Sequence, residues 1–230
     1  MRIDRVSTGC DAFDQFLNGG IEKGHITEIF GEGGSGKTNI CLETAITESK
    51  KGNKVVYVDT EGISAERLYQ ILNNAPEETL KNIYFFRSYS IEDQEEMMSK
   101  AIALIEEQKD ISLIIVDSLT EFYRAELSNG TSTKAKLFLS RELTNLSKIS
   151  KKRNVAVLVT NQVYLDINTK DIMPLGGYIL NHIAKTIILL RKVGRGKREA
   201  ILQKHRSIEE GRTVALKITN IGLEGDMEDP

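Results

Sequence analysis

The chain has 230 residues, a formal net charge of −2, 40% hydrophobic and 28% charged residues. That is chain enough for a large core and an ordinary globular composition, which excludes disordered, fibrous and disulfide-built classes. No apolar run nears the roughly 20 residues of a bilayer span. No leader pattern opens the chain, and Cys10 and Cys41 show no paired spacing, so a soluble cytoplasmic protein is expected.

In chain order, residues 1–23 form a lead-in with apolar spacing at Phe13, Phe16 and Leu17 and a stop at Asn18-Gly19-Gly20. Residues 25–30 alternate like a strand, and apolar residues recur at helical spacing over 39–46. Strands are expected over 54–59, 83–87, 112–118 and 155–160, apolar enough to be buried on both faces. Helices are expected over 65–72, 91–108 and 134–153, the second facing Met97, Met98, Ile102, Leu104 and Ile105 inward. Residues 163–175 read as a polar loop, followed by Gly176-Gly177 and a short helix. Beyond it, 186–191, 200–204 and 213–218 read as strands joined by glycine turns, and the acidic tail 224–230 as frayed. The pattern predicts one α/β domain with a mostly parallel central sheet and antiparallel strands added at its C-terminal edge.

Between the first strand and its helix lies Gly31-Glu32-Gly33-Gly34-Ser35-Gly36-Lys37-Thr38, the pattern G-x-x-x-x-G-K-T. In strand–loop–helix context it is a phosphate cradle, in which backbone N–H groups and the helix N-terminus face the anion. Lys37 would reach the β- and γ-phosphates of ATP, and the Thr38 hydroxyl would hold Mg2+. Asp117, closing an apolar strand, is the candidate second metal ligand, since strand C-termini converge on the ligand crevice. Glu61, also just past a strand end, is placed to activate water, and Gln162 to sense the γ-phosphate.

Charge is polarised as well. Residues 191–212 carry eight basic and three acidic residues, net +5, against −7 for the rest. Arg191, Lys192, Arg195, Lys197, Arg198, Lys204, Arg206 and Arg212 therefore read as an electrostatic footprint for DNA phosphates, single- or double-stranded. No aromatic interleaves them, which argues against base stacking.

Together these stretches resemble the RecA/RadA recombinase core. Thr8-Gly9, Gly19-Gly20-Ile21, residues 24–31 running into the phosphate loop, Asp59-Thr60-Glu61-Gly62 and Glu66-Arg67-Leu68 carry the likeness. Val116-Asp117-Ser118, Thr160-Asn161-Gln162-Val163, Pro174-Leu175-Gly176-Gly177 and Leu190-Arg191-Lys192 complete it. The resemblance implies a RecA-like P-loop ATPase fold and a role in DNA repair and homologous recombination. It implies Glu61 as catalytic glutamate, Lys37 and Gln162 beside it, Asn39 and Arg67 as further nucleotide neighbours, and Gln162 as the switch toward a DNA loop. Lys204-His205-Arg206 resembles a basic triplet typical of an archaeal branch of the family, serving DNA or a neighbouring subunit's ATP. Partners so implied are DNA and the RadA recombinase or a Holliday-junction resolvase.

The departures are specific. The lead-in is too short for the recombinases' N-terminal helix-hairpin-helix domain or their subunit-hooking linker. In the first DNA loop Tyr123-Arg124 fits the family, but Leu127-Ser128-Asn129-Gly130 lacks its aromatic and arginine. The second loop, 163–175, sets Lys170 against Asp166 and Asp171. The expectation is a weak ATPase that assists recombination without efficient strand exchange, as a monomer or small homo-oligomer. The alternative is a ring-forming motor or signalling ATPase, KaiC-like or helicase-like.

Overall fold

The computed structural model describes residues 3–73, 75–128, 132–165 and 172–226. The lead-in is structured: β1 (Arg5–Val6) enters α1 (Asp11–Phe16), and β2 (Ile21–Glu22) returns antiparallel to β1. Phe13, Phe16 and Leu17 are buried as their spacing predicts. The stop after α1 requires glycine at position 20, where φ is +109° and a Cβ would meet the Val6 carbonyl oxygen at 2.2 Å.

The P-loop unit follows as β3 (Ile26–Phe30) and α2 (Lys37–Lys50), then β4 (Lys54–Asp59), α3 (Ala65–Leu72) and β5 (Ile83–Arg87). Next come α4 (Ile91–Glu107), β6 (Ile111–Asp117), α5 (Glu121–Ser128), α6 (Ser132–Arg153) and β7 (Ala156–Asn161). Serine hydroxyls cap two of these helices: Ser64 accepts from the Arg67 amide and Ser90 from the Asp93 amide. The C-terminal part holds β8 (Val163–Leu165), β9 (Ile172–Pro174), α7 (Gly177–Ile183), β10 (Thr186–Lys192), β11 (Lys197–Lys204), β12 (Thr213–Thr219) and β13 (Gly222–Gly225).

Among the described residues the main sheet runs β13-β12-β11-β10-β3-β7-β6-β4-β5. From β10 to β5 every pair is parallel, and β10 to β13 pair antiparallel, so the expected mixed sheet is present. The register aligns the strand ends: Phe30 lies opposite Asn161, and Asp59 opposite Asp117. Alternation sorts the apolar runs onto two faces. Val55, Tyr57, Leu113 and Ile115 join α1, α2 and α3, while Val56, Val58, Ile114 and Val116 join α4, α6 and α7. No helix of the described residues is long and apolar enough to cross a membrane.

Several elements depart from the sequence reading. The 163–175 loop contains the β8–β9 hairpin, β11 begins at Lys197 rather than 200, and Glu224 sits in β13 rather than in a frayed tail. These strands are short or exposed on one side, so they lack the apolar run that marks a buried strand. Asn129 and Gly130 of the first loop, residues 166–171 with Lys170, and residues 227–230 lie outside the described residues.

Helix α6 buries an acid. Glu142 is 4% exposed, its Oε2 has no hydrogen-bond partner, and burial, then Glu95, pushes its pKa up from 4.5 to about 8. Between those two values the folded chain keeps a proton that the unfolded chain releases. Stability therefore falls as pH rises through that window, and is restored below it. Glu142→Gln is expected to raise Tm at pH 8.5 far more than at pH 4.5. Thermal melts at the two pH values check this, and an equal shift at both overturns it.

Candidate functional site

At the C-terminal edge of the parallel strands, residues 31–34 and 36–39 wrap a cleft of about 400 Å³ that Glu61, Arg124, Gln162 and Val163 also line. The loop folds this way because its glycines permit it. Gly34 and Gly36 have φ of +71° and +108°, and a Cβ on Gly31 would meet the Leu190 carbonyl oxygen at 2.1 Å. Helix α2 begins at Lys37, so its first amides open toward the cleft. The Lys37 amine, 7% exposed, donates to the carbonyls of Gly31 at 2.8 Å and Glu32 at 3.2 Å. Burial holds its pKa below the usual lysine range, while Glu61 and Asp117 oppose that shift.

Asp117 ends β6 fully enclosed. Its Oδ1 accepts from the Thr160 hydroxyl at 2.5 Å and its Oδ2 from Tyr57 at 2.8 Å. Burial raises its pKa, and the hydroxyls of Thr160, Tyr57 and Thr38 pull it back. Thr38 and Asp117 thus meet from different elements, an oxygen pair suited to a hard divalent cation. An open cleft at a helix start, an ammonium, and a hydroxyl–carboxylate pair fit a nucleoside triphosphate with Mg2+.

Gln162 joins the remaining groups. Its Nε2 donates to Glu61 Oε1 at 3.2 Å and to Glu121 Oε2, and Arg124 Nη1 donates to its Oε1 at 3.4 Å. Glu61 and Gln162, 101 residues apart in sequence, are therefore in direct contact. Glu121, at the start of α5, was missed as a site residue, and Arg124, read from the sequence only as part of the first DNA loop, lines the cleft. No motif marks Glu121, and only the β6–α5 turn brings it beside Gln162. On the opposite flank Arg67 donates to Asn39 Oδ1 at 2.7 Å and to the Asn220 carbonyl at 3.0 Å, tying α3 to α2 and to the β12–β13 turn.

The basic stretch does not form one patch. Because β10 runs parallel to β3 and β11 returns antiparallel, Arg191 to Arg198 lie at the P-loop end, while Lys204 to Arg206 lie some seven residues, about 23 Å, down the sheet. At the P-loop end Arg198 donates to the carbonyls of Ser35 at 2.8 Å and Gly34 at 2.9 Å, and Lys192 lies 3.8 Å from Glu32. Arg191 pairs with Glu199, Lys197 with Asp226, and Arg195 is exposed at the hairpin tip. At the far end Arg206 and His205 converge on buried Glu22, at 2.7 and 3.8 Å, while Lys204 donates to the Asn181 carbonyl. Arg212 donates to Asn18 Oδ1 at 2.9 Å.

Sheet order and phosphate-loop crossover define an α/β fold of the RecA type. A sequence model of the Rad51 family matches residues 1–226. The DNA repair and recombination protein RadB of Thermoplasma acidophilum is 39% identical over 221 residues, covering 96% of this chain and 94% of that one. Its counterpart in Methanococcoides burtonii is 42% identical over 221 residues, covering 96% and 97%. A crystal structure of the RadB recombinase superposes with a TM-score of 0.80 at 35% identity, covering 96% of this chain and 99% of that one. The chain belongs to the archaeal RadB family of RecA/RadA-type DNA repair and recombination proteins.

Proposed function

We propose that the chain is an ATP-binding accessory protein of homologous recombination, working in the cytoplasm as a monomer or small homo-oligomer alongside DNA and the RadA recombinase or a Holliday-junction resolvase. The observation that carries this reading is the convergence of Lys37, Thr38, Glu61 and Gln162 on one cleft, with the enclosed Asp117 hydrogen-bonded to Thr38. Mg2+ at Thr38 and Asp117 would offset phosphate charge; Lys37 and the loop amides would bind and orient the β- and γ-phosphates. Glu61 would take a proton from water, slowly, because Gln162 shares its amide between Glu61 and Glu121. Gln162 would carry the nucleotide state into the β8 strand that follows it.

DNA contact is assigned to the P-loop end of the β10–β11 hairpin, at Arg191, Lys192 and Arg195, all exposed. Lys192 lies against Glu32, so DNA and nucleotide would sense each other there. Efficient strand exchange is not expected, because loop residues 163–175 set one lysine against two aspartates. A ring motor with Arg206 reaching a neighbour's phosphate is disfavoured by the hold of Glu22 on that guanidinium.

About three neutralised phosphates on duplex DNA give a log affinity–log salt slope near −2.7, at roughly −0.9 each. Salt-titrated DNA binding, with and without ATP, tests this. Charge reversal at Lys192 and Arg195 should weaken all sequences alike, whereas reversal at Arg206 should lower Tm instead. A salt-independent affinity overturns the phosphate-contact reading.

A further inference from the structure

The β10–β11 hairpin grips the phosphate loop through one side chain, Arg198. Its Nε donates to the Ser35 carbonyl at 2.8 Å and its Nη2 to the Gly34 carbonyl at 2.9 Å. Nη1 donates to the Lys197 carbonyl at 2.7 Å, so the same guanidinium holds the hairpin with its third nitrogen. The hairpin is itself anchored, because the Ile218 amide of β12 donates to the Gly196 carbonyl at 2.9 Å. The Ile218 side chain backs the loop as well: a Cβ on Gly36 would lie 3.2 Å from its Cδ1. Arg198 is half-buried and lies outside the lining of the cleft.

In a trans peptide the C=O and N–H point opposite ways. A Ser35 carbonyl turned toward Arg198 therefore turns the Gly36 N–H away from it, toward the cleft that Gly36 lines. The Gly34 carbonyl is fixed in the same way, while the Ser35 N–H closes the loop on the Glu32 carbonyl at 3.1 Å. Without such a hold these peptides would turn easily. Gly34 and Gly36 have φ of +71° and +108°, and glycine moves between positive and negative φ with little steric cost. A cation on a carbonyl also polarises that peptide and strengthens its N–H as a donor. We propose that Arg198 is a positioning residue of the nucleotide site: it presets the Ser35–Gly36 peptide so that its N–H meets the phosphates, without itself touching the nucleotide. This role rests on the nucleotide-binding reading above. It also takes Arg198 out of the DNA footprint, since its donors are committed to backbone carbonyls.

Isothermal titration of the intact chain with ATP and with ADP, each with Mg2+, is the test. Loop amides serve phosphates that both nucleotides share. Arg198→Gln is therefore expected to raise both Kd values by the same factor, about tenfold, as pre-organisation is lost. Arg198→Lys keeps the charge but not the planar fork, and is expected to bind both nucleotides about threefold more weakly than the unaltered chain. Binding stoichiometry and the circular dichroism spectrum should stay unchanged in both variants. That readout separates positioning from folding, because a partly unfolded preparation loses sites rather than affinity per site. Unchanged Kd values in a folded Arg198→Gln variant overturn the proposal. So does a loss confined to ATP, which would place the guanidinium on the γ-phosphate itself. If Arg198→Gln does not fold, Arg198→Lys decides alone, and unchanged affinities there overturn the proposal. Failure of the unaltered chain to bind either nucleotide overturns the nucleotide-binding reading, and this role with it.

Discussion

Lys37→Ala is expected to weaken ATP binding by about 100-fold or more while the chain stays folded. The amine is buried at the base of the cleft and is now satisfied by the Gly31 and Glu32 carbonyls. With triphosphate bound, those two bonds are exchanged for charge-assisted bonds to phosphate oxygens, each worth about 1.5–3 kcal/mol. Losing two such bonds accounts for the expected factor. The fold should tolerate the change, because alanine is a good helix former at the start of α2 and removes an ammonium that burial already disfavours. Titration with a fluorescent ATP analogue, beside a circular dichroism spectrum, checks both halves. A folded Lys37→Ala variant with unchanged affinity would remove the phosphate-loop assignment.

Glu61→Gln is expected to leave ATP affinity within a few-fold and to cut turnover by about 100-fold, the lower end of what a positioned general base contributes. Glutamine keeps the shape and can still accept from Gln162 through its own oxygen, so the network at the mouth of the cleft survives. What it cannot do is take a proton from water. Single-turnover phosphate release under saturating ATP measures the chemical step apart from binding. Turnover equal to that of the unaltered chain would move the base elsewhere, and a parallel loss of affinity would mean that Glu61 organises the site rather than reacts in it.

The phosphate loop was legible in the sequence because its chemistry is local. Glycines at 31, 34 and 36 and the Lys37-Thr38 pair act within one strand–turn–helix unit, and the same eight residues specify the shape of the loop and carry the proposal of its ligand. Asp117 was legible for a related reason: an acid closing an apolar parallel strand has only the C-terminal edge of the sheet to occupy. The sheet itself followed from apolar runs buried on both faces, and the family likeness was carried by short motifs spread over nearly the whole chain.

The tertiary structure decided whatever depends on which strands lie side by side. Inserting β6 and β7 between β3 and β4 sets Gln162 against Glu61, and the turn after β6 adds Glu121, which no pattern marks. The antiparallel return of β11 divides a basic run that is continuous in sequence, sending Arg198 to the P-loop carbonyls and Arg206 to Glu22. Net charge is additive along the chain, whereas a binding surface depends on direction, and strand order and polarity set that direction only when the sheet closes.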